Sequence, residues 1–224
     1  MFWGFIGRNL HLCYILRMRL WVITSPDDFA SEYDDIEEMF RRGLTRLILD
    51  KRSRSGGCAG TDDYERWLLG LPMECRDRIW LSGTPDTAER LDVRGCICDA
   101  RLLMGNVPES WKRINCIARV SSVDEYLHLP GWVSGALVGP VFQPFSAIGA
   151  VETLGMELAR KFFESENLDN RPALILCGGV DEDSMDDFRK LAPAGVASLG
   201  GIWNYADPVN AFVKLNRTCG NNPL

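Results

Sequence analysis

The sequence predicts a single α/β domain, a (β/α)8 TIM barrel over residues 18–217, and three observations carry that expectation. Short apolar runs alternate with amphipathic stretches along the chain. Such alternation implies a parallel sheet, because parallel neighbours need crossover connections. The length of 224 residues suits one barrel, since barrels run to about 200–250 residues as one domain. Gly-Gly pairs, Gly178-Gly179 and Gly200-Gly201, follow the seventh and eighth strand-like runs, where barrels build phosphate sites. An open doubly wound sheet is the alternative. It would want a glycine-rich turn after the first strand, but the chain has TSPDDF there, without glycine.

Each unit has its own local signal. RLWVIT, 19–24, is the first strand, and SEYDDIEEMFRR, 31–42, the helix after it, with Ser31 as N-cap and Asp34 three residues on. TRLILD, 45–50, precedes the helix DDYERWLLGL, 62–71. DRIWLS, 77–82, precedes the short helix DTAERL, 86–91. GCICDA, 95–100, precedes a weak helix near 107–112. INCIAR, 114–119, leads to SVDEYLHL, 122–129, and SGALVG, 134–139, to a longer helix over 151–166. ALILC, 173–177, leads to a helix over 181–191, and GVASLG, 195–200, to DPVNAFVKL, 207–215.

Composition removes several function classes. The formal net charge is −6 and the pI about 5.1, with no basic stripe, which argues against a nucleic-acid partner. Of the eight cysteines, Cys96, Cys98, Cys116 and Cys177 lie in apolar runs and read as small core hydrophobes. Cys96-x-Cys98 lacks the spacing of zinc or redox motifs, and with two histidines, His11 and His128, no metal site is expected. Asn216-Arg217-Thr218 matches a glycosylation sequon without secretory context. Residues 1–17, MFWGFIGRNLHLCYILR, are too short and interrupted to span a bilayer and carry no clean signal-cleavage pattern. They read as a non-native or disordered extension ahead of a natural start at Met18, and 218–224 as a disordered tail. Reduced cysteines and no secretion signal predict a cytoplasmic protein without membrane contact.

The mouth of such a barrel, at the strand C-terminal ends, is where chemistry is expected. Asp50, Arg52, Asp99, Arg101 and Arg119 fall there, and strand alternation points Asp50 and Arg119 inward if the inward positions are those that the family resemblance given below implies. The candidate catalytic residues are Asp50, Arg52, Asp99 and Arg119. Two readings stand side by side: a remodelled site for a small anion, and an Asp50–Arg119 ion pair that plugs the mouth, because a buried charge without a partner is costly. The candidate phosphate ligands are Gly178, Gly179, Ser198, Gly200 and Gly201, against the alternative that each Gly-Gly is a tight turn. Asp181, Glu182 and Asp183 are expected to open the seventh helix, with Asp181 capping it and competing for N–H groups.

GLTRLILDKR, LVGPVF, ILCGGVDED and AGVASLGGIW, in that order and spacing, resemble the thiamine phosphate synthase family and its thiazole tautomerase relatives, over residues 18 to about 216. VGPVF looks like the family's Gly-Pro-x-Phe turn and CGGV like its Gly-Gly-Ile phosphate loop. The resemblance implies a barrel that joins an aminopyrimidine diphosphate to a thiazole phosphate and releases pyrophosphate. Magnesium and basic residues would hold that leaving group.

The chain departs from the family where the resemblance implies its chemistry. The family's Gln-x-Arg-x-Lys falls on Ile48, Asp50 and Arg52. Its Asn-Asp after the third strand falls on Ser82-Gly83, its fourth-strand histidine on Ile97, and its second metal aspartate near Leu102. Its proton-transfer residue falls within Arg119-Val120-Ser121-Ser122, and its pyrophosphate lysine on Ala147. An aspartate facing a pyrophosphate at about 4 Å costs roughly 4 kcal/mol at an effective dielectric of 20. The resemblance implies magnesium, but its ligands are not retained, so no magnesium is expected. The expected ligand is a phosphorylated small molecule such as thiazole phosphate or thiamine phosphate. The alternatives are a non-catalytic protein-interaction barrel and a different lyase or isomerase using Asp50 or Asp99 as base. The resemblance permits a homo-oligomer. Trp67, Trp80, Trp111, Trp132 and Trp203 are candidates for its interface, or more simply for helix-to-barrel packing.

Overall fold

The computed structural model describes residues 18–51, 59–145, 152–164 and 171–220. Eight parallel strands close into a barrel in sequence order. They are β1 Arg19–Ile23, β2 Leu47–Leu49, β3 Ile79–Ser82, β4 Gly95–Asp99, β5 Asn115–Val120, β6 Gly135–Val138, β7 Ala173–Cys177 and β8 Gly195–Ser198. β8 pairs back onto β1, Ala197 opposite Trp21, which closes the ring. The helices are α1 Glu32–Arg41, α2 Thr61–Leu68, α3 Pro85–Arg90, α4 Ala100–Met104, α5 Val123–Leu127, α6 Gly155–Lys161, α7 Met185–Leu191, α8 Gly200–Trp203 and α9 Pro208–Thr218. The expected single-domain (β/α)8 barrel is therefore the observed one.

Period-two alternation in the strands makes two cores. Ile48, Trp80, Ile97, Ile117 and Ile175 point into the barrel with Trp21, while the intervening residues, such as Leu47, Leu49 and Leu81, pack outward against the helices. Trp21 and Trp80 meet edge to face, ring centroids 4.7 Å apart. Room for two indoles comes from small neighbours: a Cβ on Gly95 would lie 2.9 Å from Trp80, and one on Gly195 2.9 Å from Trp21. Trp67 and Trp111 are buried in the outer core, and Trp132 and Trp203 pack against it. Trp80 thus fills the barrel interior, while the other four pack in the helix layer.

Several element boundaries differ from the sequence expectation. The seventh helix begins at Met185, not at 181. Asp181 Oδ1 accepts the Ser184 N–H at 2.9 Å, and Ser184 Oγ accepts the Asp181 N–H at 3.0 Å and bonds the Gly179 carbonyl at 2.7 Å. This reciprocal turn keeps residues 181–184 out of the helix, so Ser184, not Asp181, is its N-cap. Asp186 and Asp187 supply the carboxylates of its first turn. Ser31 does precede α1, but its hydroxyl bonds the Asp35 carboxylate instead of a helix N–H. The weak helix near 107–112 is a 3-10 turn, Glu109–Arg113. Helices α4 and α8 follow β4 and β8 closely and have too few residues to show a period. The closing helix continues to Thr218 and Cys219 is buried, so these two residues are packed and not part of a tail. Residues 1–17 and 221–224 lie outside the described residues. Among the described residues no helix is long and apolar enough to cross a membrane.

Candidate functional site

The strand C-terminal ends form a mouth with two unlike halves. On the β2–β5 side, Arg119 ends the inward row of β5 and crosses to Asp50, just past β2. Its Nη2 lies 2.8 Å from Asp50 Oδ2 and donates at 2.6 Å to Ser82 Oγ on β3. Buried Thr24 fixes the Asp50 backbone: its hydroxyl accepts the Asp50 N–H at 3.0 Å and donates to the Asp50 carbonyl at 3.2 Å. The expected ion pair is present, but its setting is not buried. The side chains are 45% and 41% exposed, so solvent already screens them and avoidance of a buried charge is not what pairs them. Pairs of this kind contribute about 0–1 kcal/mol.

Asp99, opposite Arg119 in the β4–β5 register, turns to its own helix. Its Oδ1 accepts the Arg101 N–H at 2.8 Å as the N-cap of α4. Arg101 is exposed and 3.6 Å from Glu125. Asp50 and Arg119 therefore come together, while Asp99 serves a cap. Arg52 and Ala147 lie outside the described residues.

On the β6–β8 side the mouth is apolar. A cavity of ≈ 360 Å³ is bounded by Ile23, Pro140, Phe145, Cys177 and Leu199 together with Gly178, Gly179, Gly200 and Gly201. The first glycine pair is dictated by conformation and space. Gly178 has φ +90 and Gly179 φ +65. A Cβ at Gly178 would stand 2.5 Å from Pro140 Cα, and one at Gly179 2.5 Å from Phe142 Cβ. The loop after β6 docks here: the Val141 N–H donates to the Cys177 carbonyl at 2.8 Å and the Phe142 N–H to the Gly178 carbonyl at 3.2 Å. The Gly178 and Gly179 N–H groups donate to no carbonyl among the described residues.

Ser198 is placed differently from its expected neighbours. It is 2% exposed, and its hydroxyl donates to the Val180 carbonyl at 2.7 Å. It ties the β7 loop to β8 under Gly201, where a Cβ would lie 2.7 Å from Ser198 Oγ. Ser198 thus braces the two glycine loops from behind. The Trp203 indole donates to the Ile23 carbonyl at 2.6 Å and holds α8 over the end of β1.

Cys177 was legible only as a core residue, yet it borders the cavity at the junction of the two halves. Burial pushes its thiol up to about 11, and the Arg119 guanidinium pulls weakly the other way. Position explains what composition did not show: Cys177 is the last inward residue of β7, in the row that ends in Asp50 and Arg119. A second group missed by the sequence reading is the buried Lys51, whose Nζ lies 2.5 Å from Glu32 Oε2 and 3.1 Å from Asp28. The Trp67 indole donates to the same Glu32 carboxylate at 3.3 Å. This cluster ties β2 to α1 and α2 behind the mouth. Burial raises the Glu32 pKa, against the lowering effect of Lys51.

The positions on which the resemblance places magnesium ligands hold no carboxylate. Ser82 and Gly83 offer no carboxylate, Leu102 is apolar, and the Arg119 guanidinium already donates to Ser82 Oγ. Among the described residues, no three of His, Cys, Asp or Glu come together as a metal set.

No family model matches the chain, and no curated protein matches it. Solved structures do. A thiamine phosphate pyrophosphorylase from Bacteroides thetaiotaomicron is 22% identical, with a TM-score of 0.69 over 91% of this chain and 98% of that one. A thiamine phosphate pyrophosphorylase from Pyrococcus furiosus is 20% identical, with a TM-score of 0.69 over 91% and 96%. A 3-hexulose-6-phosphate synthase is 14% identical, with a TM-score of 0.60 over 90% and 99%. At these identities the likeness is one of fold: the chain shares its closed eight-stranded barrel with all three.

Proposed function

We propose that the barrel binds a phosphorylated small molecule at the β6–β8 side of its mouth, without magnesium-assisted pyrophosphate chemistry. The carrying observation is the cavity of ≈ 360 Å³ whose rim holds both glycine pairs, with the Gly178 and Gly179 N–H groups free of carbonyl partners among the described residues. Backbone N–H groups in such turns suit an anion. The apolar walls, Ile23, Pro140, Phe145 and Leu199, suit an organic body attached to it. The two thiamine phosphate pyrophosphorylases of the same fold make thiazole phosphate and thiamine phosphate the first ligands to try.

The other half of the mouth supports the loss of the parent reaction. Asp50 adds a negative charge beside any pyrophosphate placed there, and the Arg119 guanidinium is already paired with it. Neither aspartate is poised as a base, since one is held by Arg119 and the other caps a helix.

Calorimetric titration of the full chain with thiazole phosphate, thiamine phosphate and inorganic phosphate, with and without magnesium, tests this. Saturable binding of an ester that magnesium does not change is the expected result. Magnesium-dependent turnover of aminopyrimidine diphosphate and thiazole phosphate would restore the family reaction. No binding of any ester would leave the glycines as turns and favour a protein partner.

A further inference from the structure

We infer that the opposite, N-terminal face of the barrel carries a second ligand site, for a small oxyanion held by Arg46 and Arg19 against Trp21 and Trp80. A cavity of ≈ 200 Å³ opens there, lined by Arg19, Trp21, Arg46, Trp80, Asn115 and Ser134 among others, with no acidic residue among the described residues of its wall. Arg19 begins β1, Arg46 immediately precedes β2, and Arg94 immediately precedes β4. Strand entry points therefore bring three guanidinium groups to one end of the barrel.

Among the described residues no carboxylate lies within ion-pair distance of these cations, and Arg19 and Arg94 both act electrostatically on Arg46. Among the described residues, none of the three belongs to an ion pair, whereas eight of the other thirteen described arginines do. Arg46 is half-buried, with its guanidinium 5.4 Å from the Trp21 ring centroid and 5.9 Å from that of Trp80. Its one side-chain hydrogen bond goes to the hydroxyl of adjacent Thr45, at 3.2 Å. Burial, then repulsion from Arg19 and Arg94, pushes its pKa down to about 10.

Stacking on indoles accounts for a single arginine. It does not account for like charges gathered around a partly desolvated one, which costs free energy unless an anion joins them. The uncharged groups of the wall are also donors. Asn115 Oδ1 accepts the Trp80 indole N–H at 3.3 Å, which leaves the Asn115 amide N–H groups for a ligand. A ligand that only accepts hydrogen bonds, such as a phosphate or carboxylate head, fits this set, and a planar guanidinium fork binds either in two-pronged fashion.

The indoles give the test a reporter at each end of the barrel. The full chain, labelled with 15N, is titrated with phosphate and separately with acetate at fixed ionic strength, with chloride as control. The Trp21 and Trp80 indole resonances report the N-terminal face, and that of Trp203 reports the mouth. Saturable shifts of Trp21 and Trp80 with phosphate or acetate, not reproduced by chloride, are expected, and the tighter of the two names the head group. Arg46→Gln should weaken this binding roughly tenfold or more, as loss of a charged hydrogen-bond partner does. Arg19→Gln, at an exposed position on the cavity wall, should weaken it less and covers the case in which Arg46→Gln fails to fold. No saturable shift, shifts equal to those with chloride, shifts confined to Trp203, or binding that neither variant weakens would overturn the inference. Because the reporters are separate, failure here leaves the mouth reading standing, and the reverse.

Discussion

Arg119 Nη2 lies 2.8 Å from Asp50 Oδ2, across two intervening strands of the barrel mouth, and the same nitrogen donates to Ser82 on one of them. The pair spans the half of the mouth where the resemblance puts cations and a metal. Replacing Asp50 by alanine releases Arg119 and removes the nearby negative charge. At solvent-like screening and about 4 Å the charge term is roughly 1 kcal/mol, about fivefold in affinity. Asp50→Ala should therefore bind inorganic pyrophosphate several-fold more tightly than the parent by calorimetry, with thermal stability shifted by less than about 1 kcal/mol. Unchanged affinity would mean that Asp50 does not set the charge of the mouth.

The two glycines after β7 make a stability prediction. Gly178→Ala places a methyl against Pro140 at φ +90, combining backbone strain with overlap between two loops. A loss of about 2–4 kcal/mol in urea unfolding is expected. Gly131→Ala, where a Cβ meets nothing within 4 Å, is the control and should be near neutral.

Lys51 and Glu32 form the buried ion pair behind the mouth. Lys51→Ala leaves a buried carboxylate without its main partner and should cost about 3–5 kcal/mol. The double variant Lys51→Met with Glu32→Leu should recover most of that loss, because removing both charges removes both desolvation costs. Denaturant curves of the three proteins decide it.

The same glutamate gives a pH dependence. Its folded pKa is raised, chiefly by burial, from an ordinary value of 4.5. A raised folded pKa means that the folded state holds the proton more tightly than the unfolded chain. The Glu32 contribution to stability is then fully present below pH 4.5 and is lost as pH rises through its folded pKa. Glu32→Gln removes the titration. The stability of the parent relative to Glu32→Gln should fall as pH rises from 4.5, and a difference independent of pH would contradict the assignment.

Cys177 borders the cavity, yet burial pushes its thiol up to about 11. Only the thiolate alkylates at a useful rate. Iodoacetamide labelling of Cys177, followed by peptide mass spectrometry, should be slow at pH 7.5 and rise about tenfold per pH unit towards that value. Fast labelling at neutral pH would place the thiol in a more polar setting than the cavity wall provides.

The sequence by itself determined the architecture. Alternation of β-branched and leucine-rich runs with amphipathic stretches requires parallel strands with helical crossovers, and eight such units close the ring. Alternation along the strands, taken with the inward positions that the resemblance implies, also pointed Asp50 and Arg119 inward. Tertiary structure decided the rest. Residues 181–184 became a reciprocal Asp–Ser turn because Ser184 had the Gly179 carbonyl within reach, a contact that helix-forming pattern does not encode. Ser198 became a brace because the Val180 carbonyl came to lie over it. The Lys51–Glu32–Trp67 cluster joins residues 19 and 35 positions from Glu32, and the arginine face draws on three separate strand entries. Such groups are set by ring closure, which brings distant residues within hydrogen-bond distance, and no local period or spacing announces them.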